Sequence, residues 1–380
     1  MELGVYIHFP FCGSRCGYCD FYSTVQPVPH EVYAGAVLRE LTRRAPDFDV
    51  WPVGSIYFGG GTPSLWHPEQ LGRVVRGVMQ TLTPGPGLEV TVELNPTTRV
   101  DPELLLAAGV NRLSVGVQSM DDAVLHMLGR RHVARDAVWI VQRARAAGFA
   151  NISCDVMLGL PGQSLEHHLC DVGRVLDQLQ PDHVSTYGLT LAQASPLHRR
   201  GLRAVDADYM GQMMEQGRSL LRTAGFEQYE VSSYARGAGV RGRHNEAVWH
   251  GGPYLGLGAR AHSMRLDPGA ARHRRQVNPE LGPYLDHVGD PWSEAVPGSG
   301  VEHVTRARSR FELLFLGLRT RQGLSRRSYQ DRFGIDPVEE AGERLDPLVR
   351  RGMLQVTPTH LRPTAAGIWF ADELSVRLAP

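Results

Sequence analysis

Over the first 225 residues, short apolar runs alternating at period two repeatedly give way to longer runs with apolar positions at helical spacing. That pattern predicts repeated strand-then-helix units and a parallel sheet. Six strands are expected, over 4–9, 54–58, 89–94, 111–117, 151–157 and 183–189. Pro68 opens one amphipathic helix, whose apolar stripe is Leu71, Val74, Val75, Val78 and Leu82. Leu165, Leu169, Val172, Leu176 and Leu179 form a second stripe, and both read as core.

The two faces of the strands differ. Val90, Val92 and Leu94 oppose Thr91, Glu93 and Asn95; Leu113, Val115 and Val117 oppose Ser114, Gly116 and Gln118; Ile152, Cys154 and Val156 oppose Ser153, Asp155 and Met157. A parallel sheet covered on both sides is apolar on both, and an ordinary barrel fills its interior with branched side chains. A polar face therefore predicts a full or partial barrel around a polar ligand, with an open sheet as the alternative.

After residue 225 the texture changes. An extended segment over 226–234 is expected, then the loop HNEAVWHGG and a glycine-rich stretch over 254–263. Residues 265–300, rich in Pro, Gly and Arg, read as connection. From about Thr305 helices are expected, followed by a two-stranded wing over 354–363. The units expected are 1–225, 226–300 and a small helical, winged-helix-like domain over 301–380.

Three of the five cysteines, Cys12, Cys16 and Cys19, follow the first strand directly, where parallel barrels keep their active sites. Such clustering in a long chain points to metal ligation in a reducing compartment. Three thiolates suit an iron-sulfur cluster with one open iron. Structural zinc is the alternative, with His8, Asp20 or His30 as fourth ligand. Cys154 and Cys170 read as buried core thiols. Lys plus Arg equals Asp plus Glu at 40 each, so no global charge draws nucleic acid or a membrane. The absence of a leader pattern and of any long apolar run predicts a cytoplasmic protein with no membrane span.

The spacing C-x3-C-x2-C, Tyr18 before the last cysteine and GGGTPS at 59–64 together resemble the radical S-adenosylmethionine (SAM) superfamily. The resemblance implies a partial (β/α)6 TIM-like barrel and a 4Fe-4S cluster on Cys12, Cys16 and Cys19. It also implies SAM chelated to the open iron and cleaved to a 5'-deoxyadenosyl radical. VYIHFPFCGSRCGYCDFYS, YFGGGTPSLW, VELNP, RLSVGVQS, DVMLGLPGQS and GLGARAHS extend the likeness to the oxygen-independent coproporphyrinogen III oxidase group. By that resemblance Tyr6, Tyr18, Gly60, Gly61, Thr62, Glu93, Gln118, Arg130 and Asp155 contact SAM. Free N–H groups in the glycine run are expected to receive a carboxylate.

Phe21 stands where the oxidases carry a further cysteine, and Cys12 lies close to the start of the sequence. Both features are similar to HemW-type haem chaperones, as is the element His244, Asn245 and Trp249, in which Val248 replaces a tyrosine. That subgroup implies haem binding, with His244 as a candidate iron ligand, haem-acceptor proteins as partners and an electron donor protein. Oxidative decarboxylation of coproporphyrinogen is the second reading, and no catalytic residue is assigned. Arg306, Arg308, Arg310, Arg319, Arg321, Arg326 and Arg327 raise a third, a winged helix that binds nucleic acid.

Overall fold

The structure is a computed structural model and describes residues 1–193, 195–266, 273–286 and 300–379. Strands β1 (Leu3–Phe9), β2 (Val53–Gly60), β3 (Pro84–Leu94), β4 (Arg112–Gln118), β5 (Ile152–Leu158) and β6 (His183–Gly188) pair in parallel in chain order. The helices that return the chain are α1 (His30–Arg44), α2 (Pro68–Thr81), α3 (Pro102–Ala107), α4 (Asp122–Met127), α5 (Ala134–Ala147) and α6 (Leu165–Leu179). Several have side-chain caps: the Asp101, Asp121 and Ser164 side chains accept the free N–H groups of the first turns of α3, α4 and α6.

β1 does not pair with β6, so the barrel is partial. β7 (Glu227–Gln228) and β8 (Ser233–Ala235) extend the sheet beyond β6, while β9 (Tyr254–Leu257), β10 (His262–Leu266), β11 (His273–Val277) and β12 (Gly300–Val304) extend it beyond β1. The described part of the stretch expected to be connection thus holds the end of β10, all of β11, the first residue of β12 and a short helix over Leu281–Asp286; residues 267–272 and 287–299 of it lie outside the described residues. The 226–234 segment is extended only at its two ends.

The apolar strand faces and the α2 stripe are buried in one continuous core. The second stripe is displaced. In α6 the inward residues are His168, Asp171, Val172, Val175 and Leu179, because Asp171 accepts Ser119 Oγ at 2.6 Å and the Met120 N–H at 2.8 Å and so belongs inside. Cys154 is buried as expected, whereas Cys170 lies on the outer face of the same helix and is exposed.

The C-terminal part has its own core around Leu314, Leu318, Tyr329, Phe333, Leu361 and Leu374. Its sheet has three strands, β13 (Leu324–Ser325), β14 (Leu354–Val356) and β15 (His360–Pro363), in the order β13-β15-β14. The expected wing is β14 and β15.

Candidate cofactor site

Beyond Phe9 the chain forms the cysteine loop, and backbone hydrogen bonds fix it at several points. The Cys12 N–H donates to Thr24 O at 2.8 Å, Gly17 N–H to Leu128 O at 3.0 Å and Leu197 N–H to Gly17 O at 3.0 Å. All three thiols are half-buried. Burial pushes the Cys12 and Cys19 thiols up, hydrogen bonds from Thr62 and Ser23 to Cys12 and from the Phe21 N–H to Cys19 work the other way, and the neighbouring Cys16 raises both. Thiols that feel one another in this way gain a common partner in a cation.

Arg130 donates to Cys16 Sγ at 3.6 Å and to Gly116 O at 2.8 Å. Burial works against its charge, and Tyr18 and Cys16 beside it more than offset that. Tyr18 packs against the small apolar cluster of Leu128, Met157, Leu160, Leu189 and Leu197. Of the fourth ligands open to zinc, His8 is hydrogen-bonded to Tyr22 O at 3.0 Å and His30 accepts the His67 N–H at 3.1 Å. Among the described residues no three His, Cys, Asp or Glu side chains converge on a point for a single ion.

The glycine run crosses directly beneath this loop. Gly60 has φ of +111°, and a Cβ on Gly61 would lie 2.6 Å from Phe11 O and 3.0 Å from Cys12 Sγ, so only glycine fits there. The expectation of free N–H groups is corrected. Gly60 N–H donates to Glu93 Oε2 at 3.1 Å, Gly61 N–H to Phe9 O at 2.7 Å and Thr62 N–H to Phe11 O at 2.8 Å, so the run positions the loop with its amides already satisfied.

Glu93 also accepts the Tyr57 hydroxyl at 2.9 Å. Burial, reinforced by Asp155, raises its pKa to about 7, against the hydrogen bonds from Tyr57 and Gly60. Asp155 accepts Ser114 Oγ at 3.0 Å, and burial raises it too. Gln118 closes β4 at φ of +68°, after a slip in the register between Val115 and Gln118. A Cβ on Gly116 would lie 3.1 Å from Gln118 Nε2 and 3.3 Å from Arg130 Nη2, so these two side chains close over the strand there. Glu93, Gln118, Arg130 and Asp155 thus gather on the polar face below the cysteine loop.

Tyr6 stacks on Tyr57, with ring centroids 6.1 Å apart, and its hydroxyl lies 3.2 Å from His8 Nδ1. Deeper in the same face, His244 at the start of α7 (Arg243–Trp249) stacks on Tyr57 at 5.2 Å, with Nδ1 3.1 Å from Ser55 Oγ. Burial lowers its pKa to about 4, so the imidazole is neutral at physiological pH, the form that ligates metal. A cavity of about 970 Å³ joins the two levels, lined by Tyr6, His8, Gly60 and Glu93 on one side and His244, Asn245, Val248 and Trp249 on the other.

Ser55 and Tyr57 are functional neighbours missed in the sequence, although the period-two reading of β3 to β5 finds them when applied to β2. A polar floor was missed as well. Arg112 faces Glu89 at 3.8 Å, and His183 joins Ser153 Oγ and Tyr229 Oη at 2.8 Å each.

The radical SAM superfamily matches residues 6–171, and the HemN C-terminal domain matches 304–370. The heme chaperone HemW of Bacillus subtilis is 34% identical over 377 residues, covering 97% of each chain. The mitochondrial radical S-adenosyl methionine domain-containing protein 1 of Mus musculus is 36% identical, over 99% of this chain and 87% of its own.

The chain belongs to the radical SAM superfamily, in the group of the HemW proteins. Membership of that superfamily implies a 4Fe-4S cluster and SAM. Coproporphyrinogen III oxidase HemN of Escherichia coli shares the fold, with a TM-score of 0.81 at 22% identity over 100% of this chain and 90% of its own. Among the described residues no helix is long and apolar enough to cross a membrane.

Proposed function

We propose that this radical SAM protein is a haem chaperone, which holds a 4Fe-4S cluster, SAM and haem and passes the haem to acceptor proteins in the cytoplasm. Cys12, Cys16 and Cys19 would hold the cluster, which with SAM supplies one-electron chemistry fed by a donor protein. Glu93 and Asp155 would take the amino and hydroxyl groups of SAM, and Arg130 its carboxylate or ribose. Tyr6, Tyr18, Gly60, Gly61, Thr62 and Gln118 would complete the contact. Residues 1–225 form the cluster and SAM unit in this reading, 226–300 carry His244, and 301–380 are the C-terminal domain.

The observation that carries the reading is His244 on the wall of the cavity. Its neutral imidazole is fixed through Nδ1 by Ser55 and faced by Tyr57, which leaves Nε2 for an iron. Phe21 supports chaperone over oxidase, since it puts an exposed aromatic at the cavity mouth where the oxidases have a cysteine. The nucleic-acid reading is weakened, because five of its seven arginines are ion-paired. Arg308 pairs with Glu302 and Glu312, Arg310 with Glu340, Arg319 with Asp372, Arg326 with Asp336 and Arg327 with Asp331. Arg306 and Arg321 donate to backbone carbonyls.

Titration of the anaerobically reconstituted protein with haem is expected to saturate near one per chain. His244→Ala should shift the haem absorption spectrum and weaken retention while the cluster stays. Unaltered haem binding in that variant removes His244 as the ligand.

A further inference from the structure

The motif GLGARAHS ends in a feature that neither the cluster nor SAM uses. Arg260 has φ of +58°, a backbone conformation that side chains other than glycine rarely adopt. Its neighbours hold it there. Gly258 N–H donates to the buried Glu40 at 2.9 Å, Ala259 N–H to Tyr33 Oη at 3.1 Å, and Arg260 N–H to Pro279 O at 2.9 Å. Glu40 is itself fixed by Asn278 at 2.9 Å and Tyr284 at 2.7 Å. A strained residue secured from several sides is a mark of function.

The Arg260 side chain lines the 970 Å³ cavity, and Arg15 of the cysteine loop lines it too. The cavity's carboxylates are Asp20 and Glu93, and among the described residues neither arginine has an ion-pair partner. Arg308, Arg310, Arg319, Arg326, Arg327 and Arg377 of the C-terminal domain, by contrast, are ion-paired. The field there is positive enough to be felt, for burial and then Arg260 and Arg275 lower the pKa of His262 beside them. Phe21, 63% exposed, adds a flat apolar surface to the same cavity.

We propose that Arg260 and Arg15 are a carboxylate anchor, which holds the paired propionates of a tetrapyrrole whose macrocycle lies against Phe21. This rests on the haem reading and gives the cavity its polarity, with the carboxylate edge at Arg260 and the iron toward His244. Guanidinium groups match carboxylates through paired N–H donors, so two of them lining one cavity suit a ligand with two carboxylates on one edge.

The probe is protoporphyrin IX, which keeps both propionates but offers no iron to His244, set against its dimethyl ester. Porphyrin fluorescence should show the full-length protein preferring the acid by about ten- to a hundredfold, the range of a lost charged hydrogen bond. Arg260→Gln should bring the acid close to the ester, Arg15→Gln should do so in part, and Arg260→Lys should restore some of the preference. An Arg260→Gln protein that still separates acid from ester overturns the anchor. So does a variant that keeps that preference and loses instead the SAM-induced change in the cluster spectrum, because the carboxylate is then that of SAM. A protein that holds haem through iron but binds acid and ester alike also overturns it and leaves the haem reading standing. One that binds neither haem nor porphyrin removes both.

Discussion

Cys16→Ala is expected to take up no 4Fe-4S cluster on anaerobic reconstitution, where the unsubstituted protein takes up about four irons per chain. Of the three thiols Cys16 stands in the middle of the electrostatic contacts, felt by both Cys12 and Cys19, and it alone receives a hydrogen bond from Arg130. Alanine removes one of three protein ligands and leaves a buried guanidinium without its sulfur. The fold should survive, because the loop is held by its backbone through Thr24, Leu128 and Leu197. Far-UV circular dichroism should therefore match the parent while iron and the visible absorption are lost. A normal cluster in the variant, or stoichiometric zinc without iron in the parent, would defeat the assignment.

Glu93→Gln is expected to weaken SAM binding by about 1 to 3 kcal/mol, the range for a hydrogen bond to a charged group. The same change should stabilise the ligand-free protein above neutral pH. The folded state raises the Glu93 pKa from 4.5 to about 7, so between those values it binds more protons than the unfolded chain. Stability contributed by this group then falls as pH rises through that window and levels off above it. Glutamine carries no charge to bury, and the Tyr57 hydroxyl can rotate to accept from the new amide. The parent should also lose SAM affinity as pH falls below about 7 and Glu93 takes up its proton. Thermal melts with and without SAM at two pH values check all three; an unchanged SAM affinity contradicts the role of the polar strand face.

The parts of this molecule that follow from local periodicity were legible in its sequence. β1 to β6 appear because one face is apolar at period two, and the same alternation exposes Glu93, Gln118 and Asp155 on the other. Where buried polar groups take part in packing, hydrophobic pattern fails. His168 and Asp171 turn inward on α6 because Asp171 has hydrogen-bond partners on the loop after β4, which no helical stripe records. β10 to β12 were hidden by arginine and proline, although charged pairs across antiparallel strands, such as Arg275 with Glu302 at 3.7 Å, are ordinary sheet chemistry. The cavity is assembled from distant segments of the chain, so the placing of Arg15 and Arg260 on one cavity, or the hydrogen bond between Ser55 and His244, has no local signature at all.

Haem capture without porphyrinogen chemistry is the centre of the account, and product analysis tests it most directly. The reconstituted protein, its cluster reduced and SAM in excess, is incubated with coproporphyrinogen III, and a second portion of the same sample is titrated with haem. The expected result is one haem bound per chain and no protoporphyrinogen formed. Multiple turnovers to protoporphyrinogen would contradict it and make this chain an oxidase.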